Sequence, residues 1–151
     1  MEEHNFTKFP ELRDSQMGEY LIMSPHEQIT EDFYATVSKV IDGDTIKLKT
    51  QFRDFDFSLR FLDINAPELS ETGGKEVREW LKGLIEGQDV EIIINKNNRV
   101  DKYGRLLGWV VYKGINLGDE ELRNGMAKTF ANRKEGKLIS PNEMFSMKQW
   151  F

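Results

Sequence analysis

The stretch that decides the fold is YATVSKVIDGDTIKLK, residues 34–49. Residues 34–41 are rich in β-branched side chains and predict a strand, and residues 45–49 alternate between apolar and polar side chains as a second strand. Asp42-Gly43 between them is a hairpin signal. The stretch therefore predicts two consecutive antiparallel strands that carry Asp42 and Asp44 at their turn.

A third strand is predicted by FDFSLRF, residues 55–61, which shows the cleanest alternation in the chain. Every second residue is apolar, and these residues share one face: Phe55, Phe57, Leu59 and Phe61. Arg60 falls on the opposite face, where it is available to a site on that side of the sheet.

The remaining chain predicts two more strands, residues 90–95 and 106–112, and a helix over about residues 75–86 that ends before Gly87. Residues 119–124 predict a short helix, and SPNE at 140–143 is a capping-box pattern that begins a C-terminal one. Five strands with a helix between the third and fourth predict an α+β fold, a five-stranded OB-type barrel with about three helices.

Residues 1–30 show no sustained periodicity, so residues 1–32 are predicted to form an N-terminal arm and residues 33–151 the folded domain. The arm could pack on the barrel or dock a protein partner. Residues 1–30 carry six acidic and two basic residues, a balance of -4 out of the net charge of -5. The rest of the chain is nearly neutral, which suits a local site for a few phosphates better than a broad duplex-binding face.

Composition narrows the class of protein further. A chain of 151 residues with 38% hydrophobic and 31% charged residues predicts one globular domain, expected to be a monomer. The chain has no cysteine, which excludes disulfides and thiolate metal sites. The N-terminus lacks a signal-peptide pattern and no apolar run approaches a membrane span, so we expect a cytoplasmic protein with no membrane partner, and a virion-associated location stays open.

The residues that could carry chemistry are carboxylates and arginines. Asp42 and Asp44, two residues apart across a glycine, could point at one hard cation, which prefers oxygen ligands. Glu68 in a loop could orient or deprotonate a water molecule. Arg60 and Arg105 match the geometry of phosphate oxygens, although a buried ion pair is also a credible interpretation of Arg60 and a less credible one of Arg105. Each fragment alone is a weak signal.

Taken together, the fragments resemble the staphylococcal nuclease (thermonuclease) family. The similarity is carried by VIDGDT at 40–45, Arg60, APE at 66–68, DKYGR at 101–105, and GIN at 114–116 followed by Leu122 and GMA at 125–127. Five such fragments in order across nearly a hundred residues are far more specific than any one of them.

The resemblance implies an OB-type barrel that hydrolyses DNA and RNA phosphodiesters with Ca2+, as an endonuclease or exonuclease, and leaves 3′-phosphate ends. It implies single-stranded or frayed nucleic acid as the substrate. Carried over by position, Asp44 would be the principal metal ligand, Asp42 would support it from the second shell, and Ala66 would offer its backbone carbonyl.

The remaining roles follow from the same resemblance. Glu68 would be the general base, or would position the attacking water. Arg60 and Arg105 would clamp the phosphate and stabilise the developing negative charge. Lys102 and Tyr103 would border the nucleotide pocket.

Two departures from the family pattern affect the site. Asn65 stands where the family usually has a metal-binding aspartate; its carbonyl oxygen can still bind calcium, but one negative charge is lost. Asp63 lies on the same face by strand parity and could compensate, although a surface carboxylate is the simpler interpretation. The aromatic residues that flank the nucleotide are replaced by Ala131 and Arg133, so stacking must be weaker or rebuilt with Phe130.

A second hypothesis is an inactive barrel of this family that binds nucleic acid or protein. A third is a structural role, in which the acidic arm docks a larger assembly, for example a viral one. Degenerate domains of this kind typically lose the arginines and the glutamate, and the presence of Arg60, Glu68 and Arg105 favours the active enzyme.

Overall fold

The computed structural model describes residues 6, 10–13, 16–18, 21 and 24–129. Within them the chain forms eight strands and two helices with defined bounds. In chain order they are β1 Phe33–Asp42, β2 Thr45–Lys49, β3 Phe57–Phe61, β4 Ile64–Asn65, α1 Gly74–Ile85, β5 Asp89–Ile93, β6 Leu106–Tyr112, β7 Ile115–Asn116, α2 Leu117–Arg123 and β8 Lys128–Thr129. Residues 16–18 add a helical turn.

Five strands close into a barrel in the order β3-β2-β1-β5-β6, and β6 pairs back onto β3. All neighbours are antiparallel except β3 and β6, whose parallel pairing places Leu59 opposite Leu106. Gly108 lies at this closure, where a Cβ atom would come within 2.7 Å of Ile92 Cγ2. The α+β class and the five-stranded OB-type barrel predicted from the sequence are confirmed.

The core fills the barrel and continues under α1. The alternate residues Phe57, Leu59 and Phe61 of β3 are buried, as the pattern predicts. Helix α1 buries Val77, Leu81 and Ile85 on one face. Each fully buried large aliphatic side chain contributes about 1.5–3 kcal/mol relative to an exposed one, so this stripe fixes the helix on the barrel.

The hairpin at residues 42–45 forms as predicted, with Asp42 paired to Thr45. The glycine of this turn has a packing role. Gly43 does not adopt a positive φ; instead, a Cβ atom there would lie 2.5 Å from Val77 Cγ1 and 2.7 Å from Ala66 Cβ. The glycine is required because the turn packs directly against α1 and the loop after β4.

The described part of the arm packs on the barrel. Leu12 is fully buried, and Ile29 belongs to the main core cluster. The Glu11 carboxylate is buried, forms an ion pair with Arg53, and lies 3.7 Å from Arg99 Nη1. Of the two roles considered for the arm, packing on the barrel is the one that these residues adopt.

Some predicted features differ from the structure, and others fall on residues outside the described part of the chain. Phe55 precedes β3 rather than joining it, and the two-residue strands β4, β7 and β8 were not predicted. The predicted C-terminal helix and the candidate stacking residue Phe130 lie outside the described residues. No helix within the described residues is long and apolar enough to cross a membrane.

Candidate active site

The turn between β1 and β2 holds two carboxylates close together. Asp42 Oδ1 accepts a hydrogen bond from the backbone N–H of Asp44 at 3.0 Å, which fixes the turn. Asp44 is buried, with 7% of its surface exposed, and its Oδ1 accepts from the Thr45 hydroxyl at 3.1 Å. The local sequence therefore presents Asp44 inward and leaves Asp42 half-buried beside it.

Arg60 is brought to these carboxylates by strand register. It lies opposite Thr45 in the β2–β3 ladder, and its Nη2 is 3.3 Å from Asp44 Oδ2. Its Nη1 donates to the carbonyls of Phe61 at 2.7 Å and Ile64 at 2.8 Å. The guanidinium is thus buried and paired, which is the ion-pair interpretation left open by the sequence.

The loop after β4 joins the same network. The backbone N–H of Ala66 donates to Asp44 Oδ2 at 2.8 Å, and Asn65 Oδ1 accepts from Arg60 Nη2 at 2.8 Å. Asn65 Nδ2 is buried and has no hydrogen-bond partner among the described residues. Pairing of β4 with β8 holds this loop in place, with Asn65 opposite Lys128.

Asp63 does not occupy the position that strand parity gave it. Residues 62–63 form a turn between β3 and β4, and Asp63 has a φ of 64°, so the alternation of a strand is broken there. Burial raises the pKa of the Asp63 carboxyl. Asp63 therefore does not continue the face that carries Asn65, and the argument from parity is wrong.

Glu68 follows Ala66 by two residues and is exposed. Its backbone is fixed, because its carbonyl accepts from Glu71 N at 2.9 Å and its N–H donates to Glu71 Oε1 at 3.0 Å. Gly74, at the start of α1, comes so close that a Cβ atom would lie 1.9 Å from the Glu68 carbonyl oxygen. In the described part of the chain its carboxylate makes no hydrogen bond, so it is open to solvent or substrate.

Arg105 lies in the turn before β6 and differs from Arg60 in its contacts. Its Nε is 2.8 Å from Asp101 Oδ2, and 35% of its side chain is exposed. Among the described residues its two terminal nitrogens have no hydrogen-bond partner. Burial lowers the pKa of Arg60, and the charge of Arg105 lowers it further, which places the two guanidinium groups within electrostatic reach.

The same turn carries the two predicted substrate-binding residues. Tyr103 is 61% exposed, and the Lys102 ammonium and the Arg105 guanidinium both lie over its ring, at 5.2 and 5.4 Å from the centroid. Asp101 orders the turn by accepting from the N–H groups of Tyr103 and Arg105, both at 2.9 Å. The arrangement presents an aromatic ring with two cations at the surface.

Glu121 of α2 is a residue that sequence reasoning missed. Its side chain is fully buried, and both carboxyl oxygens lack a partner among the described residues. A Cβ atom built on Gly43 would lie 3.3 Å from Glu121 Oε1, so the carboxyl group lies against the Asp42–Asp44 turn. The available signal was its spacing of four residues from Leu117, which places an acidic residue on the buried face of a helix.

Among the described residues, three carboxyl groups lie at this turn, those of Asp42, Asp44 and Glu121, whereas Arg60 is the buried cation beside them. Burial raises the pKa of Asp44 to about 6, since the attraction of Arg60 does not fully offset burial and the charge of Asp42. Burial, together with Asp44 and Asp42, raises the pKa of Glu121 to about 9. Burial therefore disfavours the charged forms of these carboxyl groups, and a cation bound at the turn would favour them.

Fold and site together define a class: a small closed OB-type barrel with a carboxylate–arginine network at the turn between its first two strands. The family profile described as "Staphylococcal nuclease homologue" matches residues 58–148. The chain belongs to this family.

Curated relatives carry the same kind of name. The chain is 35% identical over 95 residues to "Micrococcal nuclease" of Shigella flexneri, which covers 62% of this chain and 51% of that protein. It is 32% identical over 111 residues to "Endonuclease YhcR" of Bacillus subtilis, over 66% of this chain and 9% of that protein. "SPbeta prophage-derived endonuclease YokF" of the same organism is 31% identical over 99 residues, over 62% of this chain and 33% of that protein. The matches span about half or less of these relatives.

Proposed function

We propose that this chain is a calcium-dependent nuclease that hydrolyses phosphodiester bonds of DNA and RNA. The observation that carries the proposal is the buried network in which Asp44 binds Arg60 and Ala66, together with the partly exposed Arg105, whose charge acts on Arg60. The names of the relatives support the same reaction class.

The donor atoms fit a hard cation. Asp42, Asp44, the side chain of Asn65 and the backbone carbonyl of Ala66 supply oxygen only, which suits calcium. The excess of buried carboxyl groups over Arg60 favours a further positive charge at the turn. Asn65 Oδ1 already accepts one hydrogen bond from Arg60, so it has one lone pair left for an ion.

A bound calcium ion would polarise the scissile phosphodiester and neutralise part of its charge. Glu68, exposed and without a protein partner, would accept a proton from the attacking water. The water oxygen forms a bond to phosphorus, the bond to the 5′ oxygen breaks, and that oxygen takes a proton from solvent. The products are a 3′-phosphate and a 5′-hydroxyl.

The two arginines, Arg60 and Arg105, have different roles. Arg105 has two terminal nitrogens without a protein partner and can donate both to phosphate oxygens in the transition state. Arg60 is already bound to Asp44, Asn65 and two carbonyls, so its first role is to hold the carboxylate turn and the 65–66 loop in register. Lys102 and Tyr103, beside Arg105, would border a single-stranded or frayed substrate, with the base stacked on the Tyr103 ring.

Cleavage of single-stranded DNA and RNA by the purified protein tests this proposal. We expect degradation at millimolar calcium, loss of activity with a chelator, and 3′-phosphate ends on the products. Nucleic-acid binding without cleavage at millimolar calcium would contradict the proposal and favour the inactive binding module.

A further inference from the structure

The carboxyl group of Glu121 has no structural role that its contacts explain. It is fully buried in α2, and neither oxygen has a partner in the described part of the chain. A buried carboxyl without a hydrogen bond costs free energy that an apolar residue would avoid. Its helix is already anchored by Leu117, which is buried, and by Asn116, which accepts from the N–H of Asp119.

The position of Glu121 points to the turn that carries Asp42 and Asp44. Gly43 is the contact, since a Cβ atom there would lie 3.3 Å from Glu121 Oε1. Absence of this Cβ lets the carboxyl of α2 approach the turn from its inner side. The buried positive charge that acts on Glu121 is Arg60, which is already paired with Asp44.

Asn65 is the reason why a further carboxyl group matters at this site. An aspartate at position 65 would provide a second charge near Asp44, whereas Asn65 provides a neutral oxygen bound to Arg60. Within the described residues no three Asp, Glu or His side chains converge closely enough to hold one ion. Glu121 is therefore not a direct ligand in this arrangement, and it acts on an ion at Asp44 through its charge.

We propose that Glu121 is part of the divalent-cation site and that, once an ion is bound at Asp44, it supplies from beside Gly43 the negative charge that Asn65 does not. The inference rests on the proposed calcium dependence. It assigns Glu121 as a positioning residue that raises calcium affinity and makes no contact with substrate. An interaction across a buried, low-dielectric path is weakened little by salt, so one charge at this place has a large effect.

Calcium titration by isothermal calorimetry tests the inference without reference to cleavage. Glu121→Gln should weaken calcium binding at least tenfold, whereas Glu121→Asp, which keeps the charge, should stay within about threefold of the wild type. The matched control is Glu120→Gln, which removes the same charge from the neighbouring position, where Glu120 contacts Arg123 at the surface. It should leave calcium affinity within about twofold, because exposed charges are screened.

A second pair of variants tests compensation. Asn65→Asp should tighten calcium binding, and adding Glu121→Gln to it should return the affinity to about the wild-type value. Circular dichroism and the calcium-induced rise in Tm confirm that each variant folds and binds. If the glutamine variant does not fold, Glu121→Leu replaces it with an apolar residue suited to the buried position.

The outcomes separate this inference from the proposed function. Unchanged or tighter calcium binding in both Glu121→Gln and Glu121→Leu overturns the inference, and so does a wild-type protein that binds no calcium. Calcium binding that depends on Glu121, in a protein that cleaves no nucleic acid, overturns the proposed function and leaves the inference standing.

Discussion

Two buried clusters of carboxylates and arginines in this molecule have opposite charge balances. Under the arm, the single carboxylate of Glu11 faces two arginines, Arg53 and Arg99, and also accepts from the N–H of Ile29 at 2.8 Å. At the turn after β1, Arg60 pairs with Asp44, while Asp42 is half-buried beside Asp44 and Glu121 is buried without a partner among the described residues.

In the first cluster every charged group has an ion-pair partner, and the hydrogen-bonding atoms left without a partner among the described residues are Arg53 Nε and Nη1. Arg53 Nη2 also donates to the Glu27 carbonyl at 3.0 Å, and its guanidinium lies 4.6 Å from the centroid of the Phe57 ring. Arg99 donates to the carbonyls of Ile29 and Leu12, so the arm is tied to the barrel on both sides of Glu11. In the second cluster, Glu121 lacks a partner within the described residues. The comparison distinguishes a structural ion network from a site arranged for a further cation.

The largest expected effect separates catalysis from stability at the proposed active site. Arg105→Ala and Glu68→Gln should each lower turnover by about 10²–10⁴-fold, because each removes a group that acts in the transition state. Both side chains are at least partly exposed, so the free energy of unfolding should change little. Steady-state cleavage kinetics and thermal unfolding measure the two quantities.

Matched controls for this pair lie on α1. Arg78 is 32% exposed at its side chain and is paired with Glu79, much as Arg105 is paired with Asp101, and Glu76 is an exposed glutamate of the same helix. Arg78→Ala and Glu76→Gln should retain wild-type turnover. Wild-type rates in Arg105→Ala and Glu68→Gln would remove the proposed mechanism.

The next prediction concerns Glu11 of the first cluster, where a substitution should change only the free energy of unfolding. Glu11→Gln leaves two buried arginines without their anion and should lower the free energy of unfolding by about 3–5 kcal/mol. Calcium affinity should not change in the protein that stays folded. Chemical denaturation measures the loss, and Glu27→Gln, an exposed neighbour in the same segment, should cost less than about 0.5 kcal/mol. An equal, small effect of both substitutions would contradict the assignment of Glu11 as a structural anchor.

The third prediction concerns Glu121→Gln, which should raise the free energy of unfolding rather than lower it. The pKa of Glu121 rises from 4.5 to about 9 in the folded protein, mainly because of burial and then because Asp44 and Asp42 face it, while Arg60 opposes the rise. The folded state therefore binds more protons than the unfolded state between these values. Without calcium, wild-type stability relative to Glu121→Gln should fall as pH rises from about 4.5 to about 9, by at most about 1.4 kcal/mol per pH unit.

Denaturation in chelator at pH 5 and pH 8 checks this dependence. At pH 8 the glutamine variant should be more stable than the wild type by about 1–4 kcal/mol, and near pH 5 the difference should be small. A difference that does not depend on pH would show that Glu121 is not held in an environment that disfavours its charge.

Much of the barrel could be predicted because its strands carry local patterns. The bounds of β2 and β6 agree with the predicted residues 45–49 and 106–112, since alternation and β-branched runs are properties of neighbouring residues. The strands β4 and β8 are only two residues long and form through pairing with each other across more than sixty positions. No local pattern signals such a pairing.

The candidate site was likewise predictable only in part. Asp42, Asp44, Arg60 and the 65–66 loop were predicted as a set, and the structure joins them in one hydrogen-bonded network. The partner of Arg60 stayed open, because strand parity gives the face of a residue and not its neighbour. The placement of Asp63 was wrong, because a turn with a positive φ interrupts the strand there.

The sequence by itself determined the five barrel strands, the Asp42-Gly43 hairpin and the identity of the groups that could bind a cation and a phosphate, because periodicity and residue chemistry are local. The tertiary structure decided how these groups are charged and paired. Barrel closure brings Glu121 of α2 against a turn nearly eighty residues earlier, and the same closure ties Glu11 to Arg53 and Arg99. Burial then sets the cost of each unpaired charge, and burial exists only once the chain has folded.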